Sequence, residues 1–304
     1  MFATFPQFTK LQLSDKDEYE AFIRDYPALS EYSFVTLLTW WSFLEPAAVS
    51  RLNDNLVISC WIPGDEENSG LSLVGNKKID ETMCTLFDQQ KENGDMPRLV
   101  HVPEFVIGHM RFPEIFKFTP EREYDECVVS TEAFYPLTSA NSQMRAKIKK
   151  FLLRVGEDRI AVRSLDLSLK ENQDLLLDRA ERWLSRGFIN NVTKLEQETT
   201  PLKVREAEEF GIENVCLFID GQLEGFFLYH LPSDKRYVIA SYARVNPDIT
   251  GVLNFLLYSC AKRFAERGIS YINLDFDLGL PYLRAYKLAL GPVNFFRKYT
   301  VEPL

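Results

Sequence analysis

Cysteine is scarce in this chain of 304 residues: the 5 present, Cys60, Cys84, Cys127, Cys216 and Cys260, stand singly with no C-x-x-C pair. That spacing excludes a disulfide framework and a cysteine-based zinc site. The apolar settings VISCWI and ENVCLFI predict buried free thiols, hence a reducing, cytoplasmic setting. Histidine is rarer still, with 3 residues, His101, His109 and His230, too far apart for ligand spacing, so no metal is expected from them. No G-x-S-x-G elbow, P-loop or dinucleotide fingerprint occurs, which removes the commonest hydrolase, nucleotidase and dehydrogenase chemistries. No segment approaches the roughly 20 apolar residues that span a bilayer. The start, MFATFPQFTKLQLSDKDEYE, lacks the basic and apolar regions of a secretory signal, so no integral membrane segment is expected. Positive charge is in deficit, with Lys+Arg 35 against Asp+Glu 44 and a net charge of -9. A nucleic-acid or anionic-membrane partner would therefore need a local basic patch.

What is present is core-forming material. Hydrophobic residues make up 46% of the chain, with 23 Phe and 13 Tyr, and the length suits two domains of ordinary size. FTKLQL alternates like a short strand, and Ser14 reads as the N-cap of a helix over DKDEYEAFIRDY. SFVTLLTWWSF reads as a second helix. Strands follow at 55–62 and 71–75, separated by the turn PGDEENSG, then a helix over IDETMCTLFDQQKENG closed by Gly94. RLVHV, IFKFT and ECVVS read as strands, with a short helix at PEFVIGHM.

The second half repeats this order. RIAVRSL is a strand, while ENQDLLLDRAERWLSRGF and PLKVREAEEFG are helices. NVCLFIDGQLEGFFLYHL is a hairpin turning at Asp220-Gly221. RYVIASYARV, the helix VLNFLLYSCAKRFAERG, the strand SYINLDFD, the helix LPYLRAYKL and the strand PVNFFRKYTV complete it. Two copies of one topology are expected: an N-terminal unit over 1–135, a bridging basic helix within 136–157 and a C-terminal unit over 158–304.

The stretch YINLDFDLGLPYLRAYKLALGP crowds opposite charges around one strand end. Asp275 and Asp277 alternate as residues facing one side of a strand do, which admits a divalent metal, while Asp277 also suits the N-cap of the next helix. Arg284 and Lys287, three apart, share a helix face that either clamps an anion or pairs with those carboxylates. SQMRAKIKKFLLR carries Arg145, Lys147, Lys149, Lys150 and Arg154 without an acid. Such a run is a solvated face or, in so acidic a chain, the patch for an anionic donor.

The element order resembles the acetyltransferase-like (GNAT) fold in tandem, an α/β (α+β) class in which each mixed, mostly antiparallel sheet is flanked by helices. The closing stretch is similar to the signature of the bacterial family named for the C-terminal domain of phosphatidylglycerol lysyltransferase. Asn273, Asp277, Leu278, Gly279, Leu283, Arg284, Lys287 and Pro292 match it in order, with support from EYSFVTLLTWW and LTSANSQMRAKIKKF. The resemblance implies transfer of an acyl or aminoacyl group to an amine or hydroxyl, with acyl-coenzyme A or aminoacyl-tRNA as donor and a small-molecule or peptide amine as acceptor. It implies an active cleft beside the third long strand, with Tyr242 and Asp277 as catalytic candidates. Asn273, Arg284, Lys287, Arg145 and Lys149 become candidates for substrate binding, and Glu224 a possible base. The loop VNPDITGVL departs from a coenzyme A cradle, because Asp248 opposes a diphosphate and Gly251 is its one glycine; LVGNKKIDET, with Gly75, Lys77 and Lys78, suits a phosphate better. A binding module that has lost the chemistry, its cleft filled by Phe and Leu, is the alternative. A metal-dependent glycosyl transferase built on Asp275 and Asp277 is a third.

Overall fold

Local signals in the sequence set most of the elements, and distant pairing decides how they assemble. A computed structural model describes residues 1–42, 45–60, 69–139, 141–185 and 191–304. The first part of the chain forms β1 (Thr9–Lys10), α1 (Lys16–Ile23), α2 (Phe34–Thr39), β2 (Ala48–Leu52), β3 (Asn55–Cys60), β4 (Gly70–Val74), α3 (Ile79–Asn93), β5 (Leu99–Pro103), α4 (Glu104–Ile107), β6 (Phe116–Pro120) and β7 (Glu126–Ser130). Then come α5 (Ser142–Val155), β8 (Ile160–Arg163), α6 (Lys170–Leu184), α7 (Asn191–Arg205), α8 (Ala207–Phe210), β9 (Ile212–Ile219), β10 (Gln222–His230) and β11 (Tyr237–Val245). The last elements are α9 (Val252–Glu266), β12 (Tyr271–Asn273), α10 (Pro281–Ala289), β13 (Asn294–Phe296) and β14 (Lys298–Pro303). This is the mixed α/β class expected, with two mixed sheets flanked by helices.

Turn chemistry explains the hairpins. Asn53 and Asp54 (φ 51 and 62) join β2 to β3, and Asp220 and Gly221 (φ 50 and 76) join β9 to β10. Left-handed backbone at both central residues matches the twist of the flanking strands. Gly94, also left-handed at φ 82, closes α3.

Several boundaries differ from expectation. FTKLQL yields two strand residues, and Ser14 lies inside a 3₁₀ turn, Leu13–Asp15, ahead of α1. β2 went unread because AVSRL does not alternate cleanly. PLKVREAEEFG is the end of α7, which carries Pro201 inside it, followed by α8. Residues 61–68, holding most of PGDEENSG, and 186–188 of the sixth helical run lie outside the described residues.

The sheets do not follow the chain order. The first is β1-β2-β3-β4-β5-β14-β6 and the second β13-β7-β12-β11-β10-β9-β8. β7, from the segment 1–135, pairs with β12 and β13, whereas β14, from 158–304, lies between β5 and β6. The expected boundaries therefore separate neither sheet: each takes a strand from the other end of the chain. One apolar core also unites Leu37 and Trp41 with Leu176, Trp183 and Phe226. Helix α5 does not bridge. Its Met144, Ile148, Phe151 and Val155 pack into the core of the second sheet, with Phe151 stacked on Phe255 of α9 at 4.9 Å.

Candidate active site

β11 and β12 run parallel and pair only from Tyr237↔Tyr271 to Ile239↔Asn273. The chain then leaves the sheet, because Asp275 and Leu278 take left-handed backbone (φ 65 and 51). SYINLDFD is thus a three-residue strand and a loop, and Asp275 and Asp277 do not share a strand face. β11 continues to Val245, with an irregularity at Ser241: Tyr229 faces Ala240 while Leu228 faces Tyr242. Beyond Ile239 one edge of β11 has lost its neighbour, and the gap is a cavity of about 510 Å³ walled by α2, α7, α9 and α10.

Polar groups face this space. Lys203 of α7 is 8% exposed, and its Nζ donates to the Ser241 carbonyl at 3.1 Å. Burial pushes its amine down despite the negative charges of Asp275 and Glu196. Asp275 accepts from Ser30 Oγ at 2.5 Å and from the Phe276 amide at 3.0 Å, and burial pushes its carboxyl up. Glu196 and Arg244 form an ion pair, and the Arg244 guanidinium lies 4.7 Å from the centre of the Tyr242 ring. Tyr286 brings a buried hydroxyl without a hydrogen-bond partner among the described residues, raised to about 12 by burial. Tyr242, expected from the strand pattern, does line the cavity, and burial keeps its phenol protonated. Behind the bulge, His230 Nδ1 lies 2.8 Å from Ser241 Oγ. Burial lowers this imidazole to about 3, so it is neutral.

The signature residues are engaged in building the wall. Asp277, 3% exposed, does not face the cavity. Its carboxylate takes a two-pronged bond from Arg284, Nε and Nη2 each at 2.9 Å, plus Arg122 at 3.2 Å and the Gly279 amide at 3.0 Å. Burial alone would raise this carboxyl, but the Arg284 hydrogen bonds help hold it below its ordinary value. Leu280, not Asp277, occupies the N-cap of α10. Lys287 lines the cavity, yet its ammonium donates to the carbonyls of Leu274, Asp275 and Phe276 at 2.7, 2.9 and 2.6 Å. Its bonds gather the loop that splays away from β11. Asn273 is fully buried, bonded to Glu126 and the Ala28 carbonyl, and its Oδ1 receives the Asp275 amide at 2.9 Å. Of the opposite charges in this stretch, Asp277 and Arg284 form a direct ion pair.

Other expected residues lie elsewhere. Arg145 and Lys149 are exposed on α5 and do not line the cavity, because the opposite face of that helix is the buried one. Glu224 accepts from Asn246 at 2.7 Å and is not at the cavity. The Asp248 amide is used by Asn246 Oδ1 at 3.0 Å. Among the described residues no group of three or more His, Cys, Asp or Glu side chains is placed to hold a metal, and no helix is long and apolar enough to cross a membrane.

A buried ionic network supports the wall from behind, and sequence reasoning missed it. Lys298, Glu31, Glu126 and His101 are fully buried, and Glu121 nearly so. Lys298 pairs with Glu31 and, at 2.6 Å, with Glu126, while His101 Nδ1 lies 2.6 Å from Glu121. Glu126 also accepts the Ser30 and Glu31 amides at 2.6 and 3.2 Å. Ser30 and Asn273, which hold Asp275, are therefore both anchored on one carboxylate. A signal did exist: Glu126 and Lys298 are each the charged first residue of a strand.

A family model described as phosphatidylglycerol lysyltransferase, C-terminal, matches residues 27–302. The chain is similar to a conserved protein of unknown function from Bacteroides thetaiotaomicron, 22% identical over 98% of this chain and 99% of that one, with a TM-score of 0.82. It is also similar to L-PGS from Bacillus licheniformis, 15% identical over 95% and 92% with a TM-score of 0.60. FemX is 11% identical over 98% and 97%, with a TM-score of 0.56. No curated protein sequence matches the chain.

Proposed function

The chain belongs to the phosphatidylglycerol lysyltransferase C-terminal family, and from that premise we propose that it is a cytoplasmic aminoacyl- or acyltransferase working in the cavity between β11 and β12. The observation that carries this reading is the cavity itself: about 510 Å³ of open space beside a strand edge, faced by buried polar groups. A lapsed binding module would fill that space with side chains, and such polar burial is costly unless it is used.

Transfer there needs no covalent enzyme intermediate. The acceptor nitrogen or oxygen attacks the bound carbonyl carbon, and the Lys203 ammonium stabilises charge developing on the carbonyl oxygen. Collapse expels the donor's oxygen or sulfur, which takes a proton from Tyr242 or Tyr286, both kept protonated by burial. The acceptor's proton restores that tyrosine. Asp277 and Arg284 act by holding the loop in shape. The exposed cations Arg145 and Lys149 support aminoacyl-tRNA as donor, and Asp248 weighs against coenzyme A. Buried unpaired Cys127, Cys216 and Cys260 fit a reducing compartment.

The test is transfer from aminoacyl-tRNA or acyl-coenzyme A to a simple amine, with thermal stabilisation by each donor measured beside it. Lys203→Met is expected to lower the transfer rate by about 100-fold or more while leaving the fold intact. Absence of transfer and of stabilisation with every donor would refute the proposal.

A further inference from the structure

The charged side chains lining the cavity are three bases, Lys203, Arg244 and Lys287, and two acids, Glu196 and Asp275, so one positive charge is unmatched. Hydrogen bonding decides where a ligand meets it. The Arg244 guanidinium is paired with Glu196 and also donates to the Ala243 carbonyl at 3.0 Å. The Lys287 ammonium spends its donors on the carbonyls of Leu274, Asp275 and Phe276 and lies in the field of the Asp275 carboxylate. Lys203 lies in the field of Asp275 and Glu196 too. Its single hydrogen bond among the described residues goes to the Ser241 carbonyl, which leaves two of an ammonium's three donors. The surplus charge with donors to spare is therefore that of Lys203. Trp40, Phe227, Leu253, Leu257, Leu283 and Leu290 make the rest of the wall largely apolar.

We infer that the acceptor is a free α-amino acid with an apolar side chain, its carboxylate held by Lys203. This inference rests on the transferase reading above and deepens it by naming the acceptor's class. A carboxylate brings the negative charge that the lining lacks, and a hydrogen bond between charged groups is stronger than a neutral one. The two remaining donors of Lys203 set the spacing. Attack by the α-amine, in its neutral form, makes a C–N bond to the donor's carbonyl carbon, so that only N and Cα separate this carbon from the carboxylate carbon. One ammonium reaches an oxygen of each, and so holds the acceptor while stabilising the charge that develops on the carbonyl oxygen. The donor's C–O or C–S bond breaks, its oxygen or sulfur leaves with a proton from the tyrosine, and the proton shed by the α-amine returns to that tyrosine. The product is an N-acyl amino acid, or a dipeptide when the donor is an aminoacyl-tRNA. Its side chain gains by leaving water for the apolar wall. An amine that lacks the carboxylate leaves the Lys203 charge buried and unmatched, which is unfavourable.

The experiment compares binding of N-acetyl-leucine and of N-acetyl-leucinamide, a near-isostere without the charge, to the whole chain by calorimetry. Beside it, leucine and isoamylamine, which is leucine without its carboxylate, are compared as acceptors from acyl-coenzyme A and from aminoacyl-tRNA. N-acetyl-leucine is expected to bind at least about 10-fold tighter than its amide, the discrimination that a hydrogen bond to a charged group supplies. Lys203→Met is expected to remove that preference and Lys203→Arg, which keeps the charge, to retain it at least in part, with thermal unfolding checking that each variant is folded. Equal affinity for acid and amide in the unaltered protein overturns the inference and leaves the transferase reading standing. A preference for the acid that survives Lys203→Met, or transfer to isoamylamine as fast as to leucine, does the same. No binding of either compound, together with no transfer from any donor, overturns both.

Discussion

Replacing Lys298 by methionine removes the cation from the buried network while nearly conserving its volume. Lys298 is fully buried, paired with Glu31 and Glu126, and donates to the Tyr124 carbonyl at 3.1 Å. Breaking a buried pair strands its partner's charge, at a cost of about 3–5 kcal/mol. For a chain of this length each kcal/mol lowers Tm by about 1.6 °C, so the expected loss is about 5–8 °C. The pH dependence has a definite sign. Burial already pushes the Glu31 carboxyl up, and without Lys298 it rises further. A group whose folded pKa lies above its unfolded value, about 4.3 for glutamate, stabilises fully below that value and loses the contribution as pH rises through the folded pKa. The variant's deficit is therefore larger near about pH 8 than near about pH 5. Denaturant unfolding at both pH values, with Glu126→Gln added to recover part of the loss, measures it. A deficit below about 1 kcal/mol, as for a surface pair, or one equal at both pH values, would refute the reasoning.

Arg284→Ala leaves Asp277 buried with Arg122 as its remaining cation and is expected to destabilise by about 2 kcal/mol in urea unfolding. Because the Asp277 carboxyl is depressed, that contribution is present above the unfolded value of about 3.9 and is lost as pH falls through the folded one. The gap between wild type and variant should close in acid, and a gap that widens there would contradict the ion pair. Gly75→Ala puts a Cβ 2.1 Å from Asn55 Oδ1, displacing the side chain that bonds the Lys77 amide and carbonyl at 3.0 and 2.6 Å. A loss of about 2–3 kcal/mol is expected, and an unchanged unfolding midpoint would show that the loop relaxes freely.

Legibility in the sequence followed the range of the interaction. The Asp220-Gly221 hairpin and the Gly94 helix stop are local, and both could be read directly. The partners of ECVVS and RKYTV are set by pairing with β12 and β5, far away in the chain, which no local pattern encodes. Within the site, Tyr242 follows from its place on the strand that edges the cleft, whereas Asp277, Arg284 and Lys287 stand out in the sequence by charge and crowding alone. Those charges satisfy one another or the backbone. Lys203 was overlooked as a helix lysine among glutamates; its position four residues after buried Thr199 and next to buried Val204 was the available clue.

The exchanged strands also bear on synthesis. β1 to β6 have all been synthesised once Pro120 is added, yet the place between β5 and β6 is reserved for residues 298–303. At about 5–20 residues per second the nascent chain waits about 10–40 s with that edge of β5, bearing buried Leu99, Val100 and Val102, uncovered. The second sheet likewise waits for β13, residues 294–296, so both sheets gain their last strands within a few residues of each other. A chaperone that shields the β5 edge during this interval would act on the yield of folded protein without touching the finished structure.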